Sequence, residues 1–444
     1  MPTRSEMLRE LRPTLALAFP IIVGQVSQML IGITDSALIG RVGTVPLAAA
    51  AFTHGVFGLA YVVGLGLLLG VGVFAARDHG AGDEAGCAAW LRHGRVLALG
   101  VSLVAFAVLV VVTWQVHRFG QPAEVVAIVR PYLLLISLSV IPALFFQVQR
   151  QFAESQGQPW GPMIIMLADV GLNALLNWML IFGRLGCPAL GLTGSGLATL
   201  LARTAAVGAL ALWLRWSPRF VAVRAAPAGP WERARFRALL QMGVPAGGML
   251  MFESGAFSAA ALMMGWLGTV PLAAHQIALS CAALMFMFPL GLSTAASLRI
   301  SKAVGEGRAA AVRAIGFGAL GAGVALMAGS ALVFALAGPL IAAGFTPAAD
   351  VAGLAARLLV VAAIFQVFDG AQVIGAGVLR GLADVKVPTL ITFIAYWLIA
   401  LPGAYGLAFA TPAGPVGVWA GLAAGLSFAA VFLGWRFHRR SRWS

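Results

Sequence analysis

Four acidic side chains lie where acids are costly. Asp35, Asp169, Glu253 and Asp369 all fall inside long apolar runs. An ionisable group in a membrane span costs about 2.5–3.5 kcal/mol or more, so each is a functional-site candidate by default. No lysine lies deep in these runs, and Arg203 is the one obvious buried base. The acids are therefore not simply neutralised by paired cations. An unpaired carboxylate in such a place readily binds a proton or a small cation. Hard cations such as Na⁺ prefer oxygen ligands, so Glu253 and Asp369 are candidate Na⁺ ligands as well as proton carriers.

Spacing adds to this. Asp169, Asn173 and Asn177 recur every four residues and form one polar stripe on a helix. The first apolar run carries Gln28 and Asp35. The expected assembly is a polar cavity in the first half, lined by the first and fifth spans, with Glu253 and Asp369 facing each other in the second half. Blander readings stand beside these. Asn173 and Asn177 also suit plain interhelical hydrogen bonding. Asp169 also suits a cap or a snorkelling group near the cytoplasmic end of its span, and Asp35 an interfacial carboxylate. Pro20 and Pro245 fall within helical spans, where proline removes a backbone hydrogen bond and bends the helix. His275 reads as a packed membrane-end histidine. No phosphate-binding loop, zinc motif or nucleophile elbow is present, so neither an enzyme nor a cofactor is expected. Cys87, Cys187 and Cys281 are scattered and suggest neither disulfide nor metal site.

These groups need a membrane scaffold to hold them. The chain is 61% hydrophobic and only 10% charged over 444 residues. Its continuous apolar runs mark an all-α polytopic membrane protein and exclude a β-barrel. A span needs about 20 apolar residues, and twelve fit: roughly 13–39, 47–75, 95–115, 125–149, 161–183, 190–214, 238–265, 272–298, 311–337, 351–378, 388–409 and 415–436. Placing the N-terminus in the cytoplasm puts 23 of the 29 basic residues on that side, so both termini are expected there. The net charge of +14 then serves orientation and anionic lipid rather than nucleic acid. The longest polar connection runs from Arg215 to Arg237 and carries Pro218, Pro227 and Pro230. The expected organisation is an N-terminal lobe over 1–214, a basic cytoplasmic linker over 215–237 and a C-terminal lobe over 238–444.

The halves repeat. GTVPLAA occurs at 43–49 and again at 268–274, and Pro20 falls on Pro245 at the same offset of 225. Gly66 falls on Gly291, and Gln28 falls on Glu253, while Asp35 falls on Ala260. Phe146-Gln147-Val148 matches Phe365-Gln366-Val367 at a shorter offset, which predicts about seven extra residues, roughly two turns, from Asp369 onward. Six spans is an even number, so the lobes are expected as parallel repeats related by a pseudo-two-fold axis along the membrane normal, an architecture of secondary transporters.

The chain resembles the MATE (multidrug and toxic compound extrusion) family, in particular its bacterial NorM-type branch. The resemblance rests on PIIVGQVSQMLIGITDSALIGRVG in the first span, GLNALLNWMLIFGRLGCPALGLTGSGLAT across the fifth and sixth, GVPAGGMLMFES in the seventh, PLAAHQIA in the eighth and VLRGLADVKVP after the tenth. It implies two lobes alternating between inward- and outward-facing states. It implies export of cationic or amphipathic drugs against inward Na⁺ or H⁺, from the bacterial inner membrane. By position, Asp35, Glu253 and Asp369 match the family's ion-coupling acids and Pro20 its bending proline. Asn173, Asn177, Gln28 and Asp169 supply polar cavity groups. Asn177 stands where some relatives carry Asp, and Phe365 where cation-coupled relatives carry Tyr. The partners expected are small drugs and membrane lipid, with the chain acting as a monomer. A flippase for a lipid-linked saccharide is the alternative, but the acidic cavity expected here opposes a pyrophosphate.

Overall fold

The computed structural model describes residues 3–227 and 229–442, and they are helical wherever regular structure occurs. Among the described residues, twelve helices are long and apolar enough to cross a membrane. They are α1 (Arg4–Gly40), α2 (Thr44–Gly80), α3 (Glu84–Trp114), α4 (Ala123–Ser155), α5 (Trp160–Phe182) and α6 (Gly191–Trp216), followed by α7 (Arg233–Leu267), α8 (Thr269–Gly305), α9 (Ala309–Phe345), α10 (Ala349–Gly381), α11 (Lys386–Phe409) and α12 (Pro415–Arg440). Several outrun their apolar cores: α1 begins at Arg4, a full two turns before the apolar run. Their outer faces stay apolar, as at Trp114, Leu336 and Leu340, which suits lipid rather than water.

Packing divides the chain into two compact units, and the division cuts through two helices. One unit is Val23–Gly247. The other joins the residues up to Ile22 to those from Gly248 onward. Each unit therefore holds the opening turns of the other half's first helix. The breaks follow Pro20 and Pro245 by two residues each, and they sit 225 residues apart, as the prolines do. A pair of glycines shows how the exchange is packed. A Cβ at Gly66 in α2 would lie 2.2 Å from Gly247 Cα, and one at its repeat-mate Gly291 in α8 would lie 2.4 Å from the Ile22 side chain. Ile22 and Gly247 are themselves 225 apart, so the same close helix crossing is built once in each unit. Only a residue without Cβ allows helices so near each other.

In the Val23–Gly247 unit, Leu68, Tyr132, Leu133, Ile136 and Phe152 head the main buried core, and Phe146, Met166, Ala206 and Leu210 form a smaller one. The connection after α6 is docked on that unit rather than loose. Phe220 packs against Phe152 and Trp213, the guanidinium of Arg92 stacks 4.3 Å from the Trp231 ring, and the backbone N–H of Glu232 donates to His93 Nε2 at 3.0 Å. In the other unit, α10 is the centre, packed by α8, α9 and α12. Its polar end is tied by Arg436, which donates to both carboxylate oxygens of Asp384 at 2.8 and 3.0 Å. Glu10 of α1 pairs with Arg299 at 2.5 Å and with Arg308 at 3.5 Å.

The extra turns expected from Asp369 are absent. Helices α4 and α10 both run 33 residues, and their ends differ by 226 at each side. The Phe-Gln-Val match was a coincidence of composition. A bilayer of fixed thickness holds repeat-related spans to one length, so the true mate of Asp369 is Ala143. A smaller insertion is real. Pro162 and Pro388 differ by 226, whereas Leu180 and Leu407, which meet Gly194 and Gly417 in the same way, differ by 227. Between them α11 contains a π-helical stretch, Ile394–Ala400, which absorbs one residue.

Candidate ion and drug sites

In the Val23–Gly247 unit the polar stripes of α5 and α6 meet α1. Asp35 is 1% exposed. Its Oδ1 accepts from Asn177 Nδ2 at 2.7 Å and its Oδ2 from Thr199 Oγ1 at 3.4 Å. Asn177 Nδ2 also donates to Asn173 Oδ1 at 3.1 Å. Asn173, Asn177 and Asp35 thus form one buried cluster. One to two turns toward the other end of α5 and α6, a cavity of about 180 Å³ is lined by Gln28, Phe57, Tyr61, Phe146, Asp169 and Arg203. Asp169 faces this cavity with its Oδ1 buried and unbonded. Of the two readings of Asp169, the structure has the cavity-lining one.

Arg203 was legible only as an isolated buried base. It is the end of a second stripe, Ser195–Thr199–Arg203, at four-residue spacing on α6. Its Nη1 donates to Ser139 Oγ at 2.7 Å, where α4 breaks, and its guanidinium lies 4.7 Å from the Phe57 ring. The spacing of that stripe was the available signal, masked because serine and threonine often bond back to their own helix, as Thr199 also does to Ser195 O.

The other unit holds Glu253 on α7, Asp369 on α10 and Tyr396 in the π-helical stretch of α11. Neither carboxylate forms an ion pair with a basic side chain among the described residues. Asp369 Oδ1 and the Tyr396 hydroxyl are buried without a hydrogen-bond partner. Gln366 Oε1 accepts from Ser330 Oγ at 2.6 Å. Phe365, one turn before Asp369, touches Trp419 with ring centres 5.3 Å apart, and Trp419 Nε1 donates to His275 Nδ1 at 3.2 Å. His275 is fully buried. The residues fit a small cation through carboxylate and hydroxyl oxygens. Sequence reasoning missed Tyr396, because nothing in periodicity marks a π-helical turn. Pro20 belongs to this unit and lies near neither carboxylate cluster in sequence, two residues before α1 changes unit.

At the turn between α2 and α3, His79, Glu84 and Cys87 bring ligand atoms within 4.8 Å of one another. Cys87 Sγ is already engaged there, donating to Ala75 O at 3.4 Å and accepting from Gln156 Nε2 at 3.6 Å.

Two bundles of membrane-spanning helices, repeated in sequence and each enclosing carboxylates away from water, define a polytopic protein of the transporter class. The MatE family model matches residues 20–179 and 245–406. The chain belongs to the MatE family. It is 37% identical to a probable multidrug resistance protein NorM of Pseudomonas putida, over 98% of this chain and 95% of that one. It is 39% identical to a protein of the same name in Rhodopseudomonas palustris, over 99% of this chain and 94% of the other. Among solved structures it is similar to a crystal structure of MATE in the bent conformation, with a TM-score of 0.89 and 20% identity over 100% of this chain and 98% of that one. It is also similar to the outward-facing conformation of a multidrug resistance MATE family transporter of the MOP superfamily, with a TM-score of 0.89 and 21% identity over 100% and 99%.

Proposed function

We propose that the chain is a secondary active multidrug efflux antiporter that exports organic cations or amphipathic drugs by alternating access, in exchange for Na⁺ or H⁺. The observation that carries the reading is the pair Glu253 and Asp369, two carboxylates in one membrane unit with no basic partner among the described residues. Such a pair holds a mobile cation because nothing fixed balances it. The names of the bacterial relatives support the multidrug part.

Facing outward, Glu253 and Asp369 take the ion from outside, and substrate leaves. Facing inward, the ion leaves and a drug enters. A ligand shifts two states only by its different affinity for them, so ion and drug compete, directly or through conformation. Asn173, Asn177, Gln28 and Asp169 are the polar groups offered to substrate. Asp35 is the second candidate for the ion, and Pro20 the bend in α1. The protein works as a monomer in the bacterial inner membrane, with both termini cytoplasmic, as its basic loops favour.

The test is efflux of a fluorescent cationic dye from proteoliposomes under ΔpH and ΔNa⁺ imposed separately. Wild type is expected to respond to one gradient. Glu253→Gln and Asp369→Asn are each expected to lower the driven rate at least tenfold. Full coupled export in the double variant would sink the proposal.

A further inference from the structure

We propose that His79, Glu84 and Cys87 form a binding site for a divalent transition-metal ion of the zinc class, at the turn that joins α2 to α3. This ion is distinct from the coupling ion of the antiport reading. Its site lies wholly within the Val23–Gly247 unit.

The turn builds the site. His79 stands in the last turn of α2, and Glu84 and Cys87 open α3. Between them Gly82 has a φ of 74°, a left-handed conformation that glycine adopts without strain. The Gly82 N–H donates to His79 O at 3.2 Å and the Asp83 N–H to Asp78 O at 2.9 Å. This tight reversal brings one ligand atom from each of His79, Glu84 and Cys87 within 4.8 Å of the others. A tetrahedral zinc ion, with bonds of about 2.0–2.3 Å, spaces its ligand atoms by about 3.3–3.8 Å. Small rotations of His79 and Glu84, whose side chains are 25% and 36% exposed, close that difference around a Cys87 that is fully buried. The same exposure gives the ion its way in.

The donor set fits the ion. Imidazole, carboxylate and thiolate are the three side-chain ligand types of zinc, and a thiolate selects against Mg²⁺ and Ca²⁺. The charges also balance: a neutral imidazole, one carboxylate and one thiolate offset a divalent cation, so no net charge is left away from water. On binding, the Cys87 thiol releases its proton to solvent and gives up its bond to Ala75 O, now 3.4 Å long. Gln156 Nε2 already donates to Cys87 Sγ at 3.6 Å and continues to do so to the thiolate. Three protein ligands leave the fourth position to water. An ion held there ties the end of α2 to the start of α3 and, through Gln156, reaches the residue that follows α4.

The other acids of the turn are committed elsewhere. Asp83 Oδ1 caps α3 by accepting from the Gly86 N–H at 2.8 Å. Asp78 Oδ2 accepts from Trp90 Nε1 at 2.7 Å and pairs with Arg235 at 3.7 Å. Glu84 is therefore needed neither for the cap nor for Arg235. Its Oε1 lies 3.9 Å from His79 Nδ1, beyond hydrogen-bond reach. A merely solvated turn accounts for His79 and Glu84, but it does not place a buried sulfur against both. No cysteine motif announces the site, because the partners of Cys87 are a histidine and a glutamate across a turn, at the spacing His79-x4-Glu84-x2-Cys87.

Titration of the full protein with Co²⁺, in detergent, under a non-thiol reductant and without a polyhistidine tag, tests this. Wild type is expected to develop a thiolate-to-cobalt charge-transfer band, which Zn²⁺ removes by displacement and Mg²⁺ leaves in place. The band is expected to be absent in Cys87→Ser and retained in Cys187→Ser/Cys281→Ser. His79→Gln and Glu84→Gln are each expected to weaken Co²⁺ binding by roughly tenfold or more. Zn²⁺ is expected to raise the thermal midpoint of wild type and to leave that of Cys87→Ser unchanged. A wild-type protein with no charge-transfer band overturns the proposal, as does a band that survives Cys87→Ser or is lost in Cys187→Ser/Cys281→Ser. Unchanged Co²⁺ affinity in His79→Gln overturns it too. If Cys87→Ser does not fold, the wild-type spectrum and the partly exposed His79→Gln decide alone. None of these readouts depends on transport, so failure of the antiport reading leaves them standing.

Discussion

The two units share one helical plan and distribute polarity in opposite ways. In the Val23–Gly247 unit Asp35 is held by two donors, Asn177 and Thr199, and Arg203 stands one turn beyond Thr199 on α6. In the other, Asp369 keeps a buried oxygen without a hydrogen-bond partner and forms no ion pair with a basic side chain among the described residues. Duplication fixes where helices run, but it does not fix which facing positions are polar. A scaffold copied once can therefore hold a carboxylate by amide and hydroxyl donors in one copy and leave a carboxylate oxygen without a hydrogen-bond partner in the other.

That contrast can be broken most severely from the apolar side. Gly194 and Gly417 make matching close approaches 223 residues apart, so Leu426 is the mate of Arg203, and Leu426→Arg puts a guanidinium in the unit that holds Glu253 and Asp369. Gradient-driven dye efflux is expected to fall by about a hundredfold, a loss of roughly 2.7 kcal/mol in transition-state terms. Retention of the dispersed, monodisperse peak in size-exclusion chromatography separates lost coupling from lost folding. Efflux at the wild-type rate would mean that a fixed charge there does not reach the acids.

A smaller effect is expected from Asn177→Ala, which removes the 2.7 Å donor to Asp35 and leaves a buried acceptor short of a partner. The expected loss is about 1–3 kcal/mol of stability, read as a lower thermal midpoint in detergent. Smaller again is Thr199→Val. Its bond to Asp35 is long, at 3.4 Å, and the hydroxyl also donates to Ser195 O within its own helix. A loss below about 1 kcal/mol is expected, in line with interhelical polar contacts in membranes. A Thr199→Val loss exceeding that of Asn177→Ala would reverse the order of the two donors.

Much of this architecture was readable from the chain. Twelve apolar runs, one proline-rich connection and a repeated heptapeptide give the span count and the duplication, because a bilayer leaves few alternatives for an apolar segment. The acids were readable for the same reason, since a carboxylate among leucines stands out. What could not be read was partnership. Nothing in periodicity says that Asp35 meets Asn177 from 142 residues away, or that Arg203 shares a cavity with Asp169. The seven-residue insertion failed because three common residues matched by chance, while the one-residue insertion escaped because a π-helical turn leaves no trace in hydropathy. The exchange of helix ends was equally silent: a single long helix has no punctuation at the point where its packing partners change.

The exchange of helix ends bears on how the chain is made. Residues up to Ile22 leave the ribosome before the Val23–Gly247 unit, yet the unit that packs them begins again only at Gly248. They must therefore stay unpacked while more than two hundred residues are inserted. The Val23–Gly247 unit likewise cannot close until the first turns of α7 have been synthesised, well past the docked connection at Trp231 and Glu232. Cutting the gene within that connection would give two polypeptides, each lacking a piece of its own unit and carrying a piece of the other's. Such fragments would assemble only when produced together, which ties the two halves of the duplication into one translation product.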